Sequence, residues 1–355
     1  MGKSTEVRTG SLDFLKIVAT ILIVFHHYQQ TTGLVFSGLN FWDGAFGFYL
    51  VVEFFFLLSG FFMFHYIKRI KKGLSFKEFF LKRVTRLLPL VLISAIVFEF
   101  LLCAYRAAFH ENYLDIQINV WGTVIDALGI QTGWSFRDPC VNSPTWYISV
   151  LILCYIIFYF STWICKRLKV SPVYAYVAII LLGCGIMTYK IDLPFLNRSA
   201  ARGYYSFFFG ILLAKLLNKR TIKLKHCLMS AAVAIFTIWL IVGRFSWMVP
   251  TGDNYLMTFI AFPAIIIFFL YEPITKLFSC KAINFLGAAT YDVYIWHGCG
   301  LIVMYLFTGK LAPSLNILCL PAMLVFTGSQ FIVGVGSYLL IEQPINKAIR
   351  KRLEL

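Results

Sequence analysis

Ten apolar stretches, each of about the length that crosses a bilayer, divide this chain: 11–30, 46–67, 87–105, 145–164, 172–190, 200–217, 227–243, 255–271, 287–307 and 315–341. The pattern predicts ten transmembrane helices. A further segment, 117–131, is shorter and holds Asp126, and it reads as interfacial or re-entrant instead of as a span. The basic residues set the direction. With the N-terminus inside, 25 of the 32 Lys and Arg residues fall in cytoplasmic segments and 7 in external ones, the asymmetry that orients spans. Both termini are then cytoplasmic. The expected fold class is an all-α polytopic membrane protein, one ten-helix domain over 1–355 with no appended soluble domain. The first apolar run is span-length without a small-residue cleavage site, so it reads as a span and not as a signal peptide.

Polar residues inside the spans are the next signal, because ionisable groups in hydrocarbon are costly and mark sites or pathways. The first span carries Asp13, Lys16, Thr20 and the pair His26-His27. Eleven residues turn a helix by about 1100°, so Lys16 and His27 fall within roughly 20° of one face. Asp13 and Thr20 lie close to that face, whereas His26 sits about 100° away. This stripe must face other helices or a water-filled cleft. His27 lies roughly 24 Å along the span from its cytoplasmic start. A neutral histidine there is a candidate general base, or a hydrogen-bonded interhelical residue.

Composition agrees with a membrane protein. Of 355 residues, 60% are hydrophobic and only 14% charged, and the mean hydropathy is +0.79; soluble domains are about a quarter charged. The net charge of +16 follows the membrane sides, which argues against a nucleic-acid partner. Nine cysteines are scattered among apolar runs with no metal-ligand spacing, so neither a metal nor a disulfide framework is expected; Cys140 stands in an external loop.

Four further constellations carry polar groups. Glu53 sits in Val51-Val52-Glu53-Phe54-Phe55-Phe56-Leu57-Leu58-Ser59-Gly60-Phe61, where a carboxylate must be paired, protonated or wet. It is a candidate to orient a histidine, or a structural partner, while Ser59-Gly60 suits close helix packing. The cytoplasmic stretch 68–86 is basic, and Phe76, Phe79 and Phe80 beside Lys77 and Lys82 suit an interfacial amphipathic helix. Arg83 and Arg86, one turn apart at its end, can hold phosphates or anchor the chain to lipid. Asn142-Ser143-Pro144-Thr145-Trp146-Tyr147 opens the fourth span with a cap and a proline; Trp146 and Tyr147 line a substrate site or an aromatic belt. Thr290-Tyr291-Asp292-Val293-Tyr294-Ile295-Trp296-His297 lies in the ninth span, with Tyr294 and His297 on one face. The external loop near 106–144 holds Glu111, Asp115, Asp126, Asp138, Tyr113, Trp121, Trp134 and Phe136, which suit a glycan or merely solvent. His65, His110 and His226 carry no signal.

These blocks, in this order, resemble the integral-membrane acyltransferase 3 family, bacterial ten-span enzymes that O-acylate surface polysaccharides and related glycans. The likeness covers nearly the whole chain. Leu12-Asp13-Phe14-Leu15-Lys16…His27 matches the family's basic residue, gap and histidine. Val51 to Phe61 resembles its acid-Phe-Phe…Ser-Gly-Phe block, Phe80 to Leu90 its Arg-x-x-Arg segment, and Thr290 to His297 its Tyr…Trp-His block. Ile341-Glu342-Gln343-Pro344 matches its closing Ile-Glu-x-Pro. Two departures stand out: lysine at 16 where many members have arginine, which loses the bidentate fork, and Leu151 and Ile152 where many have glutamates.

The resemblance implies a cytoplasmic acyl-CoA donor, most often acetyl-CoA, and a glycan or lipid-linked sugar hydroxyl as acceptor on the outer side of the bacterial plasma (inner) membrane. It implies His27 as general base with Glu53 or Asp13 as orienting acid. Lys16, Arg83 and Arg86 would hold the donor, and Tyr294 and His297 would line the cavity or stabilise the oxyanion. The other class that ten spans with intramembrane His, Glu and Lys suit is a proton-coupled transporter or flippase, against which stands the lack of an inverted repeat.

Overall fold

A computed structural model of the chain describes residues 10–36, 40–44, 47–134, 142–243 and 252–353. It is helical, with no β-strand among the described residues. Helix α1 spans Gly10–Thr32, α2 Val51–Lys71, α3 Phe76–Phe109, α4 Val120–Ala127, α5 Trp146–Arg167, α6 Pro172–Tyr189 and α7 Arg198–Leu217. They are followed by α8 at Leu224–Val242, α9 at Gly252–Leu256, α10 at Phe262–Phe269, α11 at Glu272–Leu277, α12 at Lys281–Leu306, α13 at Leu320–Ser337 and α14 at Gln343–Leu353. Single π-turns join α9 to α10 and α13 to α14.

Among the described residues, eight helical segments are long and apolar enough to cross a membrane. Helices α7 and α12 occupy the other two expected spans, with 20 and 26 residues, but their composition is more polar. Arg198, Arg202 and Lys215 interrupt α7, and Lys281 and Asp292 interrupt α12. Both are packed among other helices, where polar side chains find protein partners. The short segment expected at 117–131 is the eight-residue α4, capped by Asn119, whose side chain accepts from the Gly122 amide at 3.1 Å.

Two corrections concern the basic stretch. It contains no separate interfacial helix: α2 runs to Lys71, Gly73 turns at φ +105°, and α3 begins at Phe76 under a Ser75 cap. Helix α3 continues unbroken through Pro89 for 34 residues, about 51 Å at 1.5 Å per residue. Phe79 does not face lipid. It is fully buried against Tyr155, Phe158 and Tyr159.

Contacts fix how the helices run. Asp13 meets Gly287 and His27 meets His297, so α1 and α12 are parallel. Tyr291 bonds the Leu87 carbonyl and Cys299 the Ser94 carbonyl, so α3 runs with them. Helix α2 is antiparallel to α1, because Lys16 lies by Phe62 and His26 by Tyr49. Helix α7 is parallel to α2, through Glu53–Arg202 and Gly60–Phe207. That last pair is very close: a Cβ on Gly60 would collide with the Phe207 carbonyl oxygen, and one on Gly210 with that of Leu57. The Ser59-Gly60 step therefore serves close packing, as small residues do in membranes. Outward-facing Leu181, Ile235, Val325 and Ile332 give the bundle an apolar exterior.

Candidate functional site

Near its C-terminal end α1 brings His27 against α12. The His27 and His297 rings lie 5.0 Å apart between centroids. Nδ1 of His27 is 2.8 Å from Gln30 Oε1. An amide oxygen only accepts, so with the amide as placed Nδ1 carries the proton and Nε2 keeps its lone pair. His297 is fully buried, with Nδ1 2.6 Å from the Tyr294 carbonyl. That carbonyl also only accepts, so Nδ1 donates; Nε2 is buried without a partner among the described residues. Two neutral imidazoles in ring contact thus both present basic nitrogens. Each keeps a lone pair on Nε2 that can take a proton, the chemistry that a general base needs.

His26 turns away from this pair. Its Nδ1 is 3.0 Å from the Phe41 carbonyl, and its ring packs on Trp42 and Tyr49. Tyr294 packs at a tilt on His297 at 5.7 Å and edge-on to Tyr147 at 5.7 Å, and its hydroxyl donates to the Pro144 carbonyl. Tyr147 exchanges a 3.0 Å hydrogen bond with Ser59. The structure therefore gathers His27, His297, Tyr294 and Tyr147. Trp146 faces the other way, 4.8 Å under the Arg202 guanidinium.

The two expected orienting acids are placed elsewhere. Glu53 is fully buried and accepts from Arg202 Nε at 2.6 Å and Nη2 at 2.7 Å, from Asn254 at 2.7 Å and from Tyr205 at 3.1 Å. Arg202 also donates to the Tyr49 carbonyl at 2.7 Å. These charges neutralise one another in a bidentate pair, and among the described residues Glu53 makes no bond to His27. Asp13 lies in the first turn of α1, 2.7 Å from Lys16, and about 21 Å of helix rise separates it from His27. The stripe on α1 is thus two sites: an Asp13–Lys16 pair at one end and His27 at the other, with Thr20 bonded back to the Lys16 carbonyl between them.

Arg83 and Arg86 do not share a partner. The Arg83 guanidinium lies over Tyr66 at 4.2 Å, with Phe79 and Tyr155 beyond, and its Nε and Nη2 are buried without partners among the described residues. Arg86 is half exposed and reaches Glu342 at 3.4 Å. Glu342 lies beside Asp292 in a network in which Ser337 donates to Asp292 at 2.7 Å and Trp296 to Ser337 at 2.8 Å. At this end Arg83 is a guanidinium with two buried nitrogens unpaired among the described residues.

In the long loop, Asp126 is buried and accepts from the Asn142 amide at 2.9 Å, and Trp134 donates to the Ser149 carbonyl at 3.1 Å. Glu111, Asp115 and Trp121 are exposed. Phe136, Asp138 and Cys140 lie outside the described residues. The eight described cysteines are unpaired, and no described group of three His, Cys, Asp or Glu is arranged to hold a metal.

The model of the acyltransferase domain family (acyltransferase 3) matches residues 9–341. The chain belongs to this family. Curated relatives include proteins of Staphylococcus aureus strains COL and MSSA476, each named "Putative O-acetyltransferase", 24% identical over 325 residues. The match covers 81% of this chain and 49% of each relative, so the chain spans about half the length of the curated relatives it matches. No solved structure matches it.

Sequence reasoning missed Arg202, which counts only as one external charge in the topology tally. Its signal is local: one arginine set in the small-residue run Ser199-Ala200-Ala201-Arg202-Gly203, as a helix needs in order to bring a cation close to a neighbour. The pair predicts a coupled stability effect. Glu53→Gln should cost about 3–5 kcal/mol by leaving Arg202 buried and unpaired, seen as a lower Tm in detergent. Glu53→Gln with Arg202→Gln should recover part of that loss. A Glu53→Gln protein melting like the wild type would show that the pair does not hold α2 to α7.

Proposed function

We propose that this chain is a membrane O-acyltransferase. It moves an acyl group, most simply acetyl, from acyl-CoA on the cytoplasmic side to a hydroxyl of a glycan or lipid-linked sugar on the outer side of a bacterial plasma (inner) membrane. Family membership supports the reaction class. The observation that carries the reading is the His27–His297 pair, set at the opposite end of the bundle from the unsatisfied Arg83 fork. A chain of ten spans with both ends cytoplasmic puts Arg83 with the donor and His27 with the acceptor. The positive-inside distribution and the parallel run of α1, α3 and α12 support that topology.

In this reading Arg83 binds CoA phosphate through charge-assisted bonds, with Lys16 nearer the pantetheine arm. Nε2 of His27 takes the proton of the acceptor hydroxyl, and His297 shares it. Tyr147 and Tyr294 form the wall behind them. Glu53 acts only structurally, through Arg202. The glycan meets the exposed Trp121, Glu111 and Asp115 of the loop.

Sidedness tests the topology and the reaction together. In sealed proteoliposomes with the loop side out, acetyl-CoA trapped inside should acetylate an impermeant sugar acceptor added outside, and His27→Ala should abolish this. Acetyl-CoA supplied outside alone should be inactive. Transfer requiring both substrates on one side would refute the transmembrane path, and solute movement without CoA release would favour a carrier instead.

Arg83 and Arg86 should separate in kinetics. Arg83→Ala removes a cation with two unpaired guanidinium nitrogens and should raise KM for acetyl-CoA about tenfold, the equivalent of roughly 1.4 kcal/mol. Arg86→Ala should change KM less, because Glu342 already holds that guanidinium. Equal KM values for Arg83→Ala and wild type would remove Arg83 from the donor site.

A further inference from the structure

Asn142, in the turn that opens α5, is fully buried. Its backbone is held: the amide donates to Asp126 at 2.9 Å, and the carbonyl accepts from the Thr145 amide at 3.0 Å and hydroxyl at 2.8 Å. Its side chain is not. Neither Oδ1 nor Nδ2 has a hydrogen-bond partner among the described residues. Burying a carboxamide with both ends unsatisfied costs several hydrogen bonds' worth of stability, so the position is expensive unless a ligand completes it.

Its location says which ligand. A Cβ on Gly298 would stand 2.9 Å from Asn142 Oδ1, so the missing side chain of Gly298 leaves the room that the amide occupies. Gly298 directly follows His297, whose Nε2 is likewise buried and unpartnered among the described residues. One turn earlier, Tyr294 clamps the same loop through the Pro144 carbonyl. The loop thus places an unpaired carboxamide, which can donate through Nδ2, against α12 one residue after His297, whose Nε2 only accepts. A base pair of histidines lacks what acyl transfer also needs, a donor for the charge that develops on the carbonyl oxygen.

Resting on the acyltransferase reading, we infer that the Asn142 carboxamide is the oxyanion donor. The acceptor oxygen attacks the thioester carbonyl carbon as His27 Nε2 takes its proton. The C–O bond forms, and the carbonyl π pair moves to the oxygen, where Asn142 Nδ2–H donates to it. The pair then returns, the C–S bond breaks, and the CoA thiolate takes the proton from His27. The products are the ester and free CoA thiol. His297, neutral and bonded through Nδ1, has no hydrogen on Nε2 to give and cannot serve in this role.

The test follows thiol release from acetyl-CoA by purified full-length chain, with a p-nitrophenyl hexoside as acceptor. Asn142→Ala should lower kcat by about 10²–10³-fold with KM for acetyl-CoA within about threefold. Asn142→Ser, which keeps one donor, should recover at least a tenth of the wild-type kcat. Should the alanine variant not fold, a lowered kcat at unchanged KM in the serine variant supports the inference by itself. A raised KM at unchanged kcat would make Asn142 a ground-state binding group and overturn the inference. So would unchanged kinetics in both variants. Inactive wild-type protein would instead refute the acyltransferase reading itself.

Discussion

The approach of α1 to α12 is the constraint on which the site depends. A polar side chain inside a membrane bundle is stable only when another protein group or a wet cleft meets it. Gly287 lets the Asp13 turn of α1 lie against α12, where a Cβ would come within 2.5 Å of that of Asp13. From that contact the two helices run parallel, and the same seam brings His27 onto His297. The remaining helices support the seam. Helix α3 ties to α12 through Tyr291 and Cys299. Helices α2 and α7, locked by Gly60, Gly210 and Glu53–Arg202, carry Ser59, which hydrogen-bonds Tyr147 in the aromatic wall at the histidine end.

Charge is distributed along this frame in committed pairs. Asp13 holds Lys16, Glu53 holds Arg202, and Glu342 holds Arg86. What the described residues leave unsatisfied along the frame includes two guanidinium nitrogens of Arg83 near the start of α3, and His297 Nε2 and the Asn142 amide at the histidine end. A thioester with phosphates at one extremity and a carbonyl at the other has the shape of that separation.

The helical segments were legible because hydrocarbon allows only helices and demands about twenty apolar residues of each, and eight described segments are long and apolar enough to cross a membrane. All ten expected positions hold helices, though α7 and α12 are more polar than the eight segments that could cross a membrane by length and composition. The helical face was also legible: a period of 3.6 separates His27 from His26, and the structure turns His26 to the Phe41 carbonyl. Pairing was not. Asp13 and His27 share a face, but a shared face says nothing of about 21 Å of rise, and Glu53 follows Arg202, a residue 149 positions away. The Arg-x-x-Arg spacing makes two forks look like one site, whereas Glu342, at the far end of the chain, divides them. Asn142 or Ser143 reads in sequence as a helix cap, and the burial and empty hydrogen-bonding capacity of Asn142 exist only in the folded chain, with α12 beside it.

If His27 and His297 act as one proton-holding unit, as proposed, a double-mutant cycle on kcat is the most direct measurement of it. Groups that act as a unit are strongly non-additive. Thiol release from acetyl-CoA should fall steeply in His27→Ala, and the double variant His27→Ala with His297→Ala should be slower than His27→Ala by no more than about threefold. Losses that multiply across the two sites would mean that the histidines work independently, and would contradict the shared-proton site.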